Sequence, residues 1–579
     1  MERGASGSRW PRIFAALLSE RWLVRIALLL LLGLYLRSIG FAPVYDDNLI
    51  GEWGKLSDIP KFFAHDIFGS DGTAHSVYYR PLNLTFIFLW SYITGGAPGW
   101  LHLGAILLHL ASVILAYDFG RHLFRDDRMA LLTAVLFGLH PSKVESVAWI
   151  GSGFVEGLGA VFFFATLIAF LKWRETDSGR WLAGSVFLFA CALLTKETML
   201  VILMLIAVHL WLTTPAEGRI ARTLRTLLPY GLVLVAFMAV RHQVIKPAGP
   251  AVEYVHPTYS HANLWTAPYA TWWYISHLTL PWGLSVEYAP KIVESSTLLG
   301  FVLPAAALLL LLAVALWLWN RRRSPIAAFL MCWFAVTLAP PVILATMVQQ
   351  HDRYLYLTSY AFCALIAWAI LYLGTVPAAV RAAVALCVVV LWSGLTWHEM
   401  GYWDCDKTLW GRTLEISPSN LKAQLQLASI YDQEGDTPKA LGVLDAGLRG
   451  RPNTGKLWMT RAEILYYHNR YDEARPGYLK VMQLTEPPAG HAVEIGLPTR
   501  LRSAAAYRLA ELDILTRNFT EAESYMRTAL SLEFKGVNYH ATLSRVLAAE
   551  GRTGEAKAEN DLELQLRMEQ LSKATHRHP

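Results

Sequence analysis

The chain has 579 residues, 54% of them hydrophobic and 22 of them Trp, a composition that excludes an ordinary soluble domain. Its net charge of +6 falls largely in short loops, so it reports membrane topology and excludes nucleic acid as the reason for the basic residues. Five cysteines form no disulfide framework or CxxC motif: Cys191, Cys332, Cys363 and Cys387 lie inside apolar runs and Cys405 stands alone.

The first apolar run, Trp22 to Ile39, is interrupted only by Arg25 and Arg37. Basic residues precede it and no small-residue cleavage site follows it, so it reads as an uncleaved anchor. Just beyond lies the doublet Asp46-Asp47. As solvated loop acids the two would need no explanation, but a carboxylate pair at a membrane surface can also deprotonate an acceptor or hold a divalent metal.

Lys and Arg fix the expected orientation. Arg3, Arg9, Arg12 and Arg21, then Arg121, Arg125 and Arg128, then Lys172, Arg174 and Arg180, then Arg219, Arg222 and Arg225, then Arg321, Arg322 and Arg323 all fall on one side, the cytoplasmic one. The count works only if Pro81 to Gly95 does not cross, and at 15 residues beginning with Pro it reads as a half-inserted or interfacial helix. Eleven spans are then expected, near 22–39, 100–121, 128–140, 155–172, 181–195, 197–213, 224–241, 297–319, 325–346, 354–373 and 376–397. Leu264 to Trp282, free of Asp, Glu, Lys and Arg and rich in Trp and Tyr, is expected along the outer surface. The odd number of crossings puts the N-terminus in the cytoplasm and the tail outside an inner or plasma membrane.

The fold class is therefore all-α: a polytopic membrane domain over 1–400, a juxtamembrane connector over 401–420, and a repeat domain over 421–579. Small residues recur in the tail in two registers, Ala428, Ala462, Ala510 and Ser544 in one and Ala440, Ala474, Ala522 and Ala556 in the other, with steps of 34, 48 and 34 in both. A 34-residue period with two small positions is the signature of a tetratricopeptide α-solenoid. Turns are expected at Gly435-Asp436, Asn469-Arg470, Arg517-Asn518 and Gly551-Arg552. The longer step leaves 14 extra residues for a loop containing Pro487-Pro488 and Gly490. Such an array binds an extended peptide or a protein partner, or serves as a spacer or dimer contact.

Polar residues of the membrane part gather at the outer ends of the expected spans: Asp46 and Asp47, Tyr79-Arg80-Pro81, His140 to Glu145, Lys196-Glu197, Arg241-His242 and His351 to Tyr354. Each can be read as a cap or interfacial anchor. Together on one side they supply what a polyprenyl-phosphate sugar requires, Arg for the phosphate and acid for the acceptor hydroxyl.

The ordered set YDD, YRPL, LHLGAILLHL, HPSKVESVAWI, LLTKE and HDRYLYL, followed by the repeats, resembles the transmembrane and tetratricopeptide repeat-containing proteins and their bacterial relatives, of the GT-C glycosyltransferases. The resemblance implies a multi-span enzyme that uses a lipid-linked sugar, with protein O-mannosylation known for the animal members. It implies catalytic roles for Asp46 and Asp47, which are also the ligands of a divalent metal if one is used. It makes Arg80 and Arg353 donor-phosphate ligands, with His140, Glu145, Lys196 and Glu197 in support. Two positions depart from the family pattern: Lys143 stands where a second His is common, and Gly151 to Glu156 contains no Arg.

Two functions are compatible with these features. One is a glycosyltransferase that moves a sugar from a polyprenyl-phosphate donor to an outer-face acceptor, such as a protein Ser or Thr held by the repeats. The other is a non-catalytic membrane scaffold that recruits envelope proteins.

Overall fold

The computed structural model describes residues 20–47, 55–67, 78–245, 261–289, 293, 295–322, 324–344, 350–372, 374, 376–486, 497–532 and 537–575. The expected loop residues Pro487, Pro488 and Gly490, and the basic residues Arg3, Arg9 and Arg12, lie outside them. Among the described residues all regular structure is helical. They form two compact units that meet in sequence between Ile416 and Ser417.

The first unit holds α1 (Glu20–Tyr35), α2 (Pro81–Thr94), α3 (Pro98–Phe124), α4 (Asp127–Leu139), α5 (Ile150–Thr176), α6 (Gly179–Thr195), α7 (Val201–Thr213) and α8 (Arg219–Val244). After these come α9 (His261–Thr279), α10 (Leu303–Arg322), α11 (Pro325–Ala339), α12 (Leu355–Tyr372), α13 (Ala378–Met400) and α14 (Asp406–Ile416). Among the described residues eight helical stretches are long and apolar enough to cross a membrane, and Gly179–Thr195 and Glu197–Thr213 are shorter apolar helices. The protein is an integral membrane protein. The residues read as a connector contain α14, which belongs to this first unit.

Glycine sets the tightest contact. A Cβ on Gly153 would stand 2.5 Å from Ala105 Cβ and one on Gly157 2.8 Å from Leu108 Cβ, so α3 and α5 approach closely only because Gly recurs at this four-residue spacing. Helix α5 is buried along much of its length, with Phe154, Phe163 and Phe164 inside. In contrast Leu309, Leu310, Leu312 and Leu316 of α10 are exposed, as expected of a helix face toward lipid. The 14-residue α2 stays beside the first turns of α3 and α5: Trp90 Nε1 donates to Trp100 O at 2.8 Å and the Phe86 ring lies 6.2 Å from Phe154. Helix α9 buries Tyr274 and Leu278 against Leu338 and Leu355.

The second unit is a series of helix hairpins: α15 (Leu421–Gln433), α16 (Thr437–Gly450), α17 (Gly455–Tyr467), α18 (Tyr471–Leu484), α19 (Leu497–Leu515), α20 (Phe519–Leu532), α21 (Val537–Ala549) and α22 (Thr553–Thr575). Ala428, Ala440, Ala462, Ala474, Ala510, Ala522 and Ala556 are all buried, where small side chains let the paired helices touch. The four turns expected from the sequence each carry one left-handed residue: Gly435, Asn469, Arg517 and Gly551 have φ of 81°, 59°, 58° and 83°.

Candidate active site

Tyr45 sits in the left-handed region at φ 62°, which no β-carbon favours and which therefore needs support. Its N–H donates to Asp406 Oδ1 at 2.8 Å and its hydroxyl to Glu287 Oε1 at 2.7 Å. Its ring lies 4.9 Å from that of Trp149 and stacks on Trp410 at 5.5 Å. The turn so held sends the two following acids in different directions.

Asp47 points inward and is 4% exposed. Its Oδ1 accepts the Gly151 N–H at 2.9 Å and its Oδ2 those of Ile150 at 3.3 Å and Val44 at 3.4 Å. Ile150 and Gly151 open α5, so Asp47 satisfies the free N–H groups and partial positive charge of that helix start. Burial outweighs these bonds and pushes its carboxyl up to about 7. Asp46 is exposed, and its Oδ1 accepts from Trp149 Nε1 at 2.9 Å.

Trp149 links the acids to the first arginine. The Arg353 guanidinium lies 5.2 Å from the Trp149 ring and 5.2 Å from that of Tyr354. Glu145 holds it from below: Arg353 Nη1 donates to Glu145 Oε1 at 2.5 Å and the Arg353 backbone N–H to Oε2 at 2.8 Å. Nearby, Lys196 Nζ donates to Glu156 Oε1 at 2.5 Å and lies 5.8 Å from the Tyr354 ring. Glu197 takes the Arg80 Nε at 3.1 Å and the Tyr79 N–H at 2.6 Å, and Arg80 lies 4.1 Å over the Tyr78 ring.

Three cations thus stand on three acids, each pair joining segments far apart in sequence. Asp46, Asp47, Glu145 and Arg353 are brought together around Trp149. Arg80 and Glu197 form a second pair, and Lys196 contributes through Glu156. His140 is elsewhere: it is fully buried, bonded to Ser142 Oγ at 2.9 Å and Leu278 O at 3.0 Å, and packed 4.6 Å from the Trp392 ring. Lys143 also turns away, donating to Tyr356 O and Ser359 Oγ at 2.5 Å each.

Sequence reasoning does not single out Trp149, Tyr45 or Glu287, and it marks Glu156 only as part of a departure. An acid six residues into an apolar helix is a usable signal, since such a group needs a partner. Nothing local marks Glu287. Among the described residues no cluster of three or more His, Cys, Asp or Glu could hold a metal ion, and both Asp47 oxygens accept backbone N–H groups.

Residues 81–245 match the family model for dolichyl-phosphate-mannose-protein mannosyltransferase. The chain is 34% identical over 153 residues to Protein O-mannosyl-transferase TMTC1 of Mus musculus, covering 24% of this chain and 16% of that protein. Longer alignments reach Protein O-mannosyl-transferase F38B6.6 of Caenorhabditis elegans (23% identical, 70% of this chain and 59% of that one) and TMTC3 of Homo sapiens (22%, 73% and 50%). Each alignment spans less than two thirds of the relative's own length.

Proposed function

We propose that this chain, a TMTC-like relative of the GT-C glycosyltransferases, transfers a sugar from a polyprenyl-phosphate donor to a protein hydroxyl at the membrane surface that carries Asp46. The observation that carries the reading is the pair of contacts on Trp149, with an exposed carboxylate on its indole N–H and the Arg353 guanidinium on its ring.

In the reaction Asp46 accepts the proton of the acceptor hydroxyl as its oxygen forms a bond to the sugar's anomeric carbon. The bond from that carbon to the phosphate oxygen breaks, and the departing polyprenyl phosphate keeps the electron pair. Arg353, with Arg80 in support, stabilises that negative charge. Glu145 and Glu197 orient the two guanidinium groups, and Asp47 fixes the loop on the start of α5. The tail, read as tetratricopeptide repeats, presents the acceptor. This surface is extracytoplasmic by the distribution of Lys and Arg.

The test is glycoproteomic mass spectrometry of envelope proteins from cells with the wild type, with Asp46→Asn and without the gene. O-linked hexose present only with the wild type supports the reading. The same hexose in cells without the gene as with the wild type would leave the scaffold function in its place.

A further inference from the structure

At the end of the helix bundle where α3, α5 and α7 terminate and α11 begins lies a cavity of about 680 Å³. Its lining is two-part. Leu123, Leu171, Leu212, Ile326 and Phe329 give an apolar wall, while Arg125, Arg174, His122, Glu175 and His209 give a charged and polar one. The volume falls within the roughly 300–1,000 Å³ of ordinary ligand pockets and far exceeds what a bare anion fills.

The charges are unevenly satisfied. Glu175 is engaged by His122, whose Nδ1 lies 3.2 Å from its Oε2. Among the described residues neither Arg125 nor Arg174 has an ion pair or a side-chain hydrogen bond, although Arg121, one turn before Arg125, is paired with Asp127. The His209 Nδ1 is buried without a hydrogen-bond partner among them, its ring held edge-on between Phe170 and Phe329 at 5.3 and 5.7 Å. Two unpaired guanidinium groups, one unsatisfied ring nitrogen and an adjoining apolar wall at a membrane-helix end describe the receptor of an amphipathic anion.

We propose that this cavity binds the phosphate of an anionic phospholipid, with Arg125 and Arg174 on the phosphate and the wall formed by Leu171, Leu212 and Phe329 against the start of an acyl chain. The site stands apart from the acids around Trp149, so it does not depend on the reaction proposed there. Its ligand is a bound lipid and not a substrate.

The experiment is native mass spectrometry of the full-length protein released from detergent containing phosphatidylglycerol, phosphatidylcholine or 5 mM inorganic phosphate. The expected result is retained phosphatidylglycerol in preference to phosphatidylcholine, with binding weakened about fivefold per arginine, and so roughly twenty-five-fold, in the double variant Arg125→Gln with Arg174→Gln. Arg125→Lys with Arg174→Lys should keep most of the preference, and a thermal midpoint of the Gln variant in neutral detergent equal to that of the wild type certifies its fold. Should the Gln variant not fold, Leu212→Trp, which fills the wall and leaves both arginines, takes its place: loss of the phosphatidylglycerol preference supports the proposal and an unchanged preference overturns it. Equal retention of phosphatidylglycerol by the wild type and the folded Gln variant would overturn the proposal. Binding of inorganic phosphate that abolishes phosphatidylglycerol retention would also overturn it, and would make a free phosphate the ligand.

Discussion

Asp47 Oδ1 accepts the backbone N–H of Gly151 at 2.9 Å across 104 residues of sequence, which ties the loop after the first span to the opening turn of the most buried helix. That bond divides the labour of the acidic doublet. The inward acid fixes the loop, and the outward one, on Trp149, is exposed.

The doublet should therefore split in experiment. Asp46→Asn should cut sugar transfer about a hundredfold or more with an unchanged thermal midpoint, because the side chain is exposed and its loss costs basicity alone. Asp47→Ala should lower stability by about 1–2 kcal/mol through the lost helix-start bonds. Thermal unfolding alongside product measurement reads both, and equal activity for wild type and Asp46→Asn would remove Asp46 from the chemistry.

Asp47 also predicts a pH dependence. Its carboxyl stands at about 7, above the ordinary 3.8, so between these values the folded protein binds more protons than the unfolded one. Stability contributed by this group is full below about 4 and falls as pH rises toward 7. Asp47→Asn should flatten that part of the curve of unfolding midpoint against pH. A wild type and variant with parallel curves from pH 4.5 to 7.5 would refute the assignment.

Lys143 is expected to cost stability. It is fully buried, its ammonium meets a carbonyl, a hydroxyl and the Phe137 and Tyr356 ring faces at 4.2 Å, and it makes no ion pair among the described residues. Burial pushes it down to about 7 from 10.5, so its unfavourable effect is lifted as pH rises above 7. Lys143→Met should raise the unfolding midpoint at pH 6 and give a smaller gain at pH 9. A lower midpoint at pH 6 would mean that the ammonium is needed in place.

For Arg353 the expected outcome depends on the replacement. Arg353→Ala leaves Glu145, 3% exposed, without its guanidinium partner and should cost stability by about 3–5 kcal/mol. Arg353→Lys keeps the charge and loses the fork, so it should fold and need several-fold more lipid-linked donor for half-maximal transfer. Donor titrations with identical midpoints for wild type and Arg353→Lys would show that the fork does not read the phosphate.

The membrane orientation is testable with protease on sealed right-side-out vesicles. Removal of the hairpin tail from Ser417 onward, with the basic segment Arg321 to Arg323 protected, is the expected pattern. A fully protected tail would invert the topology and move the acids around Trp149 to the other side.

Composition and periodicity alone determined the membrane class, the rough placement of the apolar helices and the four hairpin turns of the tail, because length, hydrophobicity and a 34-residue recurrence are local properties of a chain. The polar residues at helix ends were also legible, Asp46, Asp47, Arg80, Glu145 and Arg353 among them, since charges beside apolar runs stand out. Which of them meet was decided only by tertiary packing. That Asp47 reaches Gly151, that Trp149 joins Asp46 to Arg353, and that His140 leaves the group for Leu278 and Trp392 depend on contacts more than a hundred residues apart. The strained turn at Tyr45, which sends adjacent acids to opposite environments, requires Glu287, Asp406 and Trp410, and no local pattern links those residues to it.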